Sequence, residues 1–489
     1  MVLASKAVAR PAGLRNPSGH LPLRILNSLV EAPSILMAGA VRVLCEPLTK
    51  RVLTGAIILD IPLQWGTHVA MRQGTAAALG AMDGFDVSVT TLALIGLYIG
   101  WLFTERAKSR RLRIVWNWPI ATYTATVVIS LFVSANLQLS LFQVCLMLEM
   151  LLLYLYFAAN ITSREEIVAL LRLLMWGGII EGGYVLILAV TGHEFALIRA
   201  IGIKSVIYHP VLPGEIARYG GTVGSPNDAA AYLAVVIVLA FAARYLMLDR
   251  KLRRLATPVL ILGVGALVFT YSRGGWIELT LSAAILIAAT WLKGGITPRR
   301  AFACGALLFL IVAALYIPNP ISDRFTANDN GSAYSRIPLM HLAENMIKAN
   351  PVLGVGANNF AAVMGGYEGP EFRHAWIYTV HNQFLLVWSE TGIVGLIAFL
   401  WIYGNLILRG WRLWRTGDAL FAPLGLTIVA ALCGFMSHML VDQFSGRPMI
   451  QMVWMFAALI AACEVIRGNE TAGRATAQVD KSHAELVAA

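Results

Sequence analysis

Long apolar runs recur along this 489-residue chain, and they constrain its fold more than any other feature. Each run has about 17–25 residues, which is long enough for an α-helix to cross the hydrocarbon core of a bilayer. The chain is 58% hydrophobic and only 13% charged, which is too little charge for a soluble domain of this length. We therefore predict an all-α polytopic membrane protein with about twelve transmembrane helices and a long outer loop that contains an amphipathic helix.

The spans and the loops between them divide the chain into five segments. Nine spans in residues 52–317 and three in 383–466 enclose a loop at 318–382, which is the longest polar stretch. A cytoplasmic segment with an interfacial helix is predicted at 1–51, and a disordered cytoplasmic tail at 467–489. The twelve predicted spans are 52–70, 87–104, 114–134, 138–158, 166–190, 229–248, 256–272, 275–292, 301–317, 383–408, 420–442 and 449–466.

Basic residues give the chain a formal net charge of +11, and most of them stand in short loops beside apolar runs. Such loops stay in the cytoplasm during insertion, so the charge indicates topology rather than nucleic-acid binding. With twelve spans, the strongly basic loops all fall on the side of the basic N-terminus. Both termini are then cytoplasmic, and the loops at about 191–227 and 318–380 lie outside. The five cysteines lack metal-site spacing and predict neither zinc nor a disulfide.

Two arginines are predicted at the outer ends of spans. Arg218 precedes a glycine-rich segment that ends in Ser225-Pro226, a pair typical of a helix start. Arg273 stands in a very tight turn between two spans, where an arginine is expected to find an anionic partner. A fixed positive charge beside a helix N-terminus could hold an anion. The structural alternative is an arginine that snorkels to the lipid headgroups.

The loop at 318–382 contains Arg336, which is followed by apolar residues at helical spacing from Leu339 to Ile347. This pattern predicts an amphipathic helix that lies over the outer face as a lid. Arg324 and Arg373 add further basic groups to the same loop.

His381 stands where the tenth span meets the long loop, and a neutral imidazole there could accept a proton near pH 7. A histidine at a helix end is more often structural, and no partner at metal-ligand spacing accompanies this one. Glu390 would face away from His381 on a straight helix. Six carboxylates fall within the predicted spans, and most are expected to form hydrogen bonds between helices: Asp60, Glu149, Glu181, Glu278, Glu390 and Asp442.

Four motifs, in this order, resemble the O-antigen ligase/polymerase superfamily of bacterial glycan assembly. Each is short, but the ordered set is fairly specific and covers roughly residues 215–400. The motifs are Arg218 with Gly224-Ser225-Pro226-Asn227, Ser272-Arg273-Gly274, the segment Pro351–Phe360, and His381-Asn382 with Glu390–Leu396.

The resemblance implies an enzyme of the bacterial inner membrane with a periplasmic active site. Such glycosyltransferases pass a glycan from undecaprenyl diphosphate to lipid A–core, or to another lipid-linked repeat unit. His381 matches the proposed base, and Arg218 and Arg273 match positions proposed to bind the diphosphate, to which we add Arg336. No cofactor and no metal are implied. The implied partners are the lipid-linked donor, a glycan or lipid acceptor and membrane lipid, with polysaccharide export machinery as a further candidate.

Three alternatives to a ligase remain open at this point. A repeat-unit polymerase for exopolysaccharide or O-antigen would carry the same motifs. A polysaccharide flippase or other transporter would need polar groups along a path near mid-bilayer. A scaffold subunit of an export complex would need no cluster of arginines and histidine at one level.

Overall fold

The computed structural model describes residues 39–71, 74–108, 113–210, 216–293, 336–369 and 378–488. Within these residues the chain is mainly helical, with two small two-stranded antiparallel sheets, β1–β2 and β3–β4. The strands are β1 (Gly66–Val69), β2 (Phe85–Ser88), β3 (Val206–Tyr208) and β4 (Arg218–Gly221). The helices are α1 (Pro47–Leu63), α2 (Thr75–Ala78), α3 (Val89–Ala107), α4 (Trp118–Ile129), α5 (Leu137–Asn160), α6 (Arg164–Thr191), α7 (Ala196–Ala200), α8 (Pro226–Tyr245), α9 (Arg250–Phe269), α10 (Arg273–Leu292), α11 (Arg336–Ala349), α12 (Phe360–Val363), α13 (Gln383–Arg415), α14 (Phe421–Met439) and α15 (Arg447–Ala488).

Eight of the described helices are long and apolar enough to cross a membrane: α5, α6, α8, α9, α10, α13, α14 and α15. The predicted all-α polytopic membrane fold is therefore confirmed, whereas the count of twelve spans is not. Eleven of the predicted spans overlap a described helix. The span at 301–317 lies outside the described residues, as do most of the interfacial helix and of the loop at 318–382.

Two boundaries differ from the sequence prediction. The first span was expected to reach residue 70, but α1 ends at Leu63 because Gln64 adopts a left-handed conformation and β1 follows. The segment after Arg467 was expected to be disordered, yet α15 continues as helix to Ala488. Six of the 22 residues after Arg467 are alanine, which has the highest helix propensity and favours continuation of the preceding helix.

Contacts between helix ends give the bundle two distinct ends. At one of them, named here the site end, the start of α8 and the start of α13 both contact the residues that follow α14. At the opposite end, Lys50 pairs with Glu166 at 3.3 Å. Arg164 pairs there with Asp418 at 2.7 Å. The motif residues and these ion pairs therefore lie at different ends of the bundle.

Helix α13 is broken at Gly392, where the backbone has φ 68° and ψ −173°. The break brings the rings of Phe384 and Phe399 to 6.2 Å between centroids. A straight helix would separate residues this far apart in sequence by about 22 Å along its axis. The predicted span 383–408 therefore consists of two helical arms, and Glu390 lies in the first arm, before the break.

The motif Pro351–Phe360 packs against this break. The N–H of Gly356 donates to the Glu390 carbonyl at 2.9 Å, and the N–H of Phe360 donates to the Glu390 carboxylate at 3.1 Å. Gly356 has φ 100°, and a Cβ there would lie 2.7 Å from the Cα of Ser134. This glycine motif therefore belongs to the scaffold, where it joins α13 to the turn between α4 and α5.

The predicted amphipathic helix is present as α11. Its residues Leu339, Leu342 and Met346 are fully buried, and they form a small hydrophobic core with Phe360 and Leu386. Helix α11 therefore packs on the first arm of α13, directly beside the start of that helix.

Candidate active site

The residues between α14 and α15 connect the elements of the site end. The side-chain amide of Asn227 donates to the Asp442 carboxylate, and the N–H of Gln383 donates to the Asp442 carbonyl at 3.1 Å. The Asn382 side chain donates to another carbonyl of this segment at 3.0 Å. Residues 440–444 are named here the central turn. Because it bonds to the starts of both α8 and α13, it fixes two motifs relative to each other.

Arg218 opens β4, and its guanidinium bridges two helix ends. Its Nε donates to the Thr270 carbonyl at 3.0 Å, just after α9, where a terminal carbonyl lacks a helical partner. Its Nη2 donates to the side-chain oxygen of Asn227 at 2.6 Å, in the first turn of α8. The positive charge of Arg218 also favours the ionised form of Asp442. The central turn and β4 are thus linked through Asn227.

Arg273 is the first residue of α10 and follows the connection that Arg218 binds. Tyr271 in this connection has φ 49°, a left-handed conformation that reverses the chain within three residues. A side chain at Gly274 would overlap the ring of His438, so α10 and α14 approach closely here. Arg218 of β4 therefore bonds to the same connection between α9 and α10 that ends at Arg273.

Arg336 and His381 both adjoin the central turn. Arg336 opens α11, and its Nη1 donates to the Val441 carbonyl at 2.6 Å. His381 precedes Asn382, whose side chain binds the neighbouring carbonyl of the same turn. The positive charge of Arg336 acts on both His381 and Asp442. The base and the third arginine predicted from the sequence are therefore neighbours.

The imidazole of His381 is half-buried, and its Nδ1 lies 3.1 Å from the Thr379 carbonyl. A carbonyl only accepts hydrogen bonds, so the neutral ring carries its proton on Nδ1 and leaves Nε2 free of a proton. Burial, and next the positive charge of Arg336, lower the pKa of His381 to about 4. The ring is therefore neutral at pH 7 and presents Nε2 as a proton acceptor.

The N-terminus of α8 is capped by its own residues. Ser225 Oγ accepts from the N–H of Asp228 at 3.0 Å and donates to the Asp228 carboxylate at 2.6 Å. The predicted N-cap is confirmed, but the carboxylate bonds to the hydroxyl rather than to a backbone N–H as in a capping box. A negative charge already occupies this positive helix end, so a second anion would depend mainly on the arginines.

Sequence analysis missed three polar residues at the site end. Asp442 was assigned to a span because the apolar run reaches it, yet α14 ends before it. Lys204 lies beside Gly224, where a Cβ would be 3.7 Å from its Nζ. Tyr208 is the β-sheet partner of Arg218. Neither Lys204 nor Tyr208 belongs to a motif. Only their position in the first long outer loop could have indicated that they lie near the site.

The six carboxylates predicted within the spans all accept hydrogen bonds from protein groups, as expected for most of them. The shortest distances are 2.6 Å for Asp60 with Arg447, 2.8 Å for Glu149 with Thr91, 2.5 Å for Glu181 with the hydroxyl of Thr222, 2.8 Å for Glu278 with His438, and 3.1 Å for Glu390 with the N–H of Phe360, while Asp442 accepts from Asn227.

The chemistry available at the site end is anion binding and proton transfer. Guanidinium groups can bind phosphate oxygens in pairs, and a neutral imidazole can accept a proton. Within the described ranges, no three His, Cys, Asp or Glu side chains are grouped to hold a metal ion.

Comparison with known proteins points to one family. Residues 258–400 match the O-antigen ligase family. A Rickettsia felis protein named as a polysaccharide ligase is 27% identical over 175 residues, which cover 34% of this chain and 42% of that protein. A second protein so named, from Rickettsia conorii, is 26% identical over the same share. The chain therefore matches less than half the length of these relatives.

One chain of a solved structure described as a peptidoglycan synthase complex aligns with this protein at 17% identity. The alignment covers 73% of this protein and 98% of the chain in that structure. Its TM-score of 0.39 is too low to support an inference. The family match includes Arg273, Arg336 and His381 but ends before the central turn. It confirms the resemblance that the motifs predicted: residues 258–400 of this protein are similar to the O-antigen ligase family.

Proposed function

We propose that this protein is an O-antigen ligase-like glycosyltransferase that moves a glycan from undecaprenyl diphosphate to lipid A–core or another glycan acceptor. The observation that carries the proposal is the connection of Arg218, Arg336 and His381 through the central turn. A diphosphate needs fixed cations, and an attacking hydroxyl needs a base. This arrangement supplies both at one end of the bundle.

The proposed reaction is a direct displacement at the anomeric carbon. The acceptor oxygen attacks that carbon as its proton passes to Nε2 of His381, and the bond to the diphosphate oxygen breaks with its electron pair on the leaving group. Arg218, Arg273 and Arg336 stabilise the charge that develops there. Because guanidinium groups supply the positive charge that magnesium supplies in other enzymes, the reaction is expected to need no metal. A single direct displacement is also expected to invert the anomeric centre.

The low pKa of His381 fits this reaction when the donor is bound. An imidazole whose pKa is about 4 is a weak base for a reaction at pH 7. A diphosphate held near Arg336 would oppose the positive field that contributes to this shift, and would raise the pKa toward neutrality. Donor binding and activation of the base are then linked.

The distribution of charge supports a periplasmic site. Lys50 and Arg164 lie at the opposite end of the bundle, together with the basic start of α9 and the basic end of α13. Since basic residues favour the cytoplasmic side, the site end is expected to face the periplasm, with α11 as a lid. The paired state of the six carboxylates favours an enzyme over a transporter, because a transporter needs polar groups along a mid-bilayer path.

Transfer by the purified protein in lipid nanodiscs tests the proposal. The donor is undecaprenyl-diphosphate glycan, offered with lipid A–core or with a second lipid-linked glycan. A single glycosylated lipid A product identifies a ligase, and a ladder of longer lipid-linked glycans identifies a polymerase. Both reactions should persist in EDTA. Donor that stays unconsumed with either acceptor, but crosses the bilayer of proteoliposomes, would instead identify a transporter.

A further inference from the structure

One stretch of the first outer loop pairs with the strand that carries Arg218 and has no role in the reaction proposed so far. This stretch, residues 203–208, ends in β3 and is named here the strap. Its odd-numbered residues are buried: Ile203, Ser205 and Ile207. Lys204 and Tyr208 are exposed. Since alternate side chains of an extended chain point to opposite faces, the strap presents Lys204 and Tyr208 together on its open face.

Hydrogen bonds hold the strap in place. The Ser205 hydroxyl lies 2.7 Å from the Tyr184 hydroxyl of α6, and it accepts from the N–H of Phe195 at 3.3 Å. The N–H of Ile207 donates to the Glu194 carboxylate at 2.8 Å. The strap is thus a fixed element, and its exposed side chains start from defined positions.

Tyr208 stands beside Arg218. The two residues are directly opposite each other in the β3–β4 ladder, and opposite residues of a ladder lie on the same face of the sheet. The charges of Asp228, Arg218 and Asp442 all act on the Tyr208 hydroxyl. The residue is 50% exposed, and within the described chain its hydroxyl has no hydrogen bond. An open hydroxyl therefore adjoins the first arginine of the proposed diphosphate site.

Lys204 reaches the glycine turn that joins β4 to α8. A Cβ on Gly224 would lie 3.5 Å from Cδ and 3.7 Å from Nζ of Lys204. The positive charge of Lys204 acts on the Asp228 carboxylate, but among the described residues the ammonium forms no ion pair or hydrogen bond. Arg218 bonds to the start of the same helix through Asn227. Both cations therefore lie beside the first turn of α8.

The donor groups of this face suit a phosphoryl ligand. An ammonium has three N–H donors and a tyrosine hydroxyl has one, and phosphoryl oxygens accept from both. A positive charge next to a guanidinium favours an anion over an uncharged sugar. The structural alternative is that Lys204 only offsets the charge of Asp228.

We propose that Lys204 and Tyr208 bind a phosphoryl group of the substrate next to Arg218, so that the strap forms part of the substrate site. The inference rests on the proposed function and adds residues from outside the motifs to it. The phosphoryl group belongs either to the donor diphosphate or to a phosphate on the lipid A–core acceptor, since both offer the same oxygens. Binding of each lipid by itself distinguishes the two sources.

The first experiment measures binding of undecaprenyl diphosphate without a glycan, which can be bound but has nothing to transfer. The protein is held in phosphatidylcholine nanodiscs, so that no anionic headgroup competes. Lys204→Gln should weaken binding by about tenfold, the usual worth of one charged hydrogen bond, and Tyr208→Phe by about 2–10-fold. Lys204→Arg, which keeps the charge, should retain most of the affinity.

Two matched controls lie close by. Arg199→Gln removes a cation of the same loop that is already paired with Glu194 at 3.1 Å. Tyr219→Phe removes a hydroxyl next to Arg218, from a ring that packs on Phe269 at 6.2 Å between centroids. Neither change should alter the affinity. An equal loss in Arg199→Gln and Lys204→Gln would reduce the effect to general surface charge and overturn the proposal.

The second experiment repeats the binding measurement with lipid A–core, with and without its phosphates. If Lys204→Gln weakens binding of the phosphorylated acceptor but not of undecaprenyl diphosphate, the phosphoryl group belongs to the acceptor. Unchanged affinity of both Lys204→Gln and Tyr208→Phe for both lipids would refute the proposal.

A double-mutant cycle with Asp228→Asn tests the structural alternative. If Lys204 only offsets the Asp228 carboxylate, Lys204→Gln should have no effect on binding once that carboxylate is removed. If Lys204 binds a phosphoryl group, Lys204→Gln should weaken binding by a similar factor in both backgrounds. An effect that disappears in the Asp228→Asn background would therefore exclude a direct contact.

The outcomes also separate this proposal from the proposed function. Binding of undecaprenyl diphosphate that depends on Lys204, in a protein that transfers no glycan, would leave the strap as a binding element and refute the glycosyltransferase assignment. Glycan transfer by Lys204→Gln and Tyr208→Phe with undiminished affinity for both substrates would refute the role of the strap alone.

Discussion

Asn227 donates its side-chain N–H to the Asp442 carboxylate and accepts a hydrogen bond from Arg218 through its side-chain oxygen. One amide thus satisfies a buried carboxylate and orients a guanidinium. An aspartate at the same position would keep the acceptor but lose the donor. The residue type at this position is therefore set by its two partners.

Asn227→Asp should lower transfer by about one to two orders of magnitude, because the lost donor leaves a buried carboxylate unsatisfied and a second negative charge opposes the first. Steady-state transfer at varied donor concentration measures the effect. Asn160→Asp makes the same change at the opposite end, where the amide donates only to the Tyr156 carbonyl. Equal activity in the two variants would contradict this role.

Arg218→Ala and Arg273→Ala should each abolish measurable transfer, because each removes a positive charge proposed to hold the diphosphate. Lysine should restore activity only in part, since an ammonium cannot bind two oxygens in the fixed geometry of a guanidinium. Binding of lipid-linked donor by the purified variants measures the loss directly.

Arg244→Ala is the control for these arginine variants, since Arg244 lies in the last turn of α8 and stacks on Tyr245. It should retain transfer. Normal donor binding by Arg218→Ala or Arg273→Ala would place the diphosphate elsewhere.

Periodicity and motifs predicted the helical membrane fold and most of its spans, because each is specified locally. The N-cap at Ser225, the tight turn before Arg273 and the buried face of α11 are local features too. The break at Gly392 was not predicted, because it depends on a distant segment. A side chain at Gly392 would overlap the carbonyl of Val352, which packs there only in the folded protein.

The candidate site was predicted only in part for the same reason. Arg218, Arg273, Arg336 and His381 each stand beside a local signal, a turn or a helix end. Asp442 joins them through hydrogen bonds to residues far away in sequence, which no local pattern records.

Asn359→Ala should destabilise the protein while leaving the chemistry of the site intact. The fully buried side chain accepts from the N–H of Asn136 at 2.7 Å and donates to Ser140 at 2.8 Å. Alanine leaves the partly buried N–H of Asn136 unpaired, and an unpaired buried donor costs about 1–3 kcal/mol. Thermal unfolding in detergent measures the loss, and Asn345→Ala, which removes one bond to the Tyr367 carbonyl, should lose less.

Specific activity per folded molecule distinguishes a scaffold role for Asn359 from a catalytic one. It should match the wild type below the unfolding transition. A folded Asn359→Ala variant that is inactive would show that this motif takes part in the reaction.

Two glycines with open space around them test the topology. Gly366 lies beside α12 at the site end and Gly468 lies in α15, and a Cβ at either position meets no atom within 4 Å. If the site end is periplasmic, a membrane-impermeant maleimide should label Gly366→Cys in intact spheroplasts. Gly468→Cys should be labelled only after permeabilisation, and the unsubstituted chain gives the background of its native cysteines. The reverse pattern would place the site in the cytoplasm.

His381 tests the proposed base. His381→Asn keeps a donor near the Thr379 carbonyl but has no nitrogen that accepts a proton, so transfer should fall by about two to four orders of magnitude. Donor binding should survive because the arginines remain. His341→Asn, at an exposed position of α11, should be active.

The pH dependence of transfer gives an independent test of the same residue. Burial lowers the pKa of His381 to about 4, so the free enzyme keeps a neutral ring down to that pH. As pH falls through about 4, protonation should reduce kcat/KM, which reports the free enzyme. Because the proposed bound diphosphate would oppose the charge of Arg336 and raise the pKa of His381, kcat should fall at a higher pH than kcat/KM. A His381→Asn variant with wild-type rate and the same two profiles would make His381 structural, and Asp228, at the start of α8, would become the next candidate base.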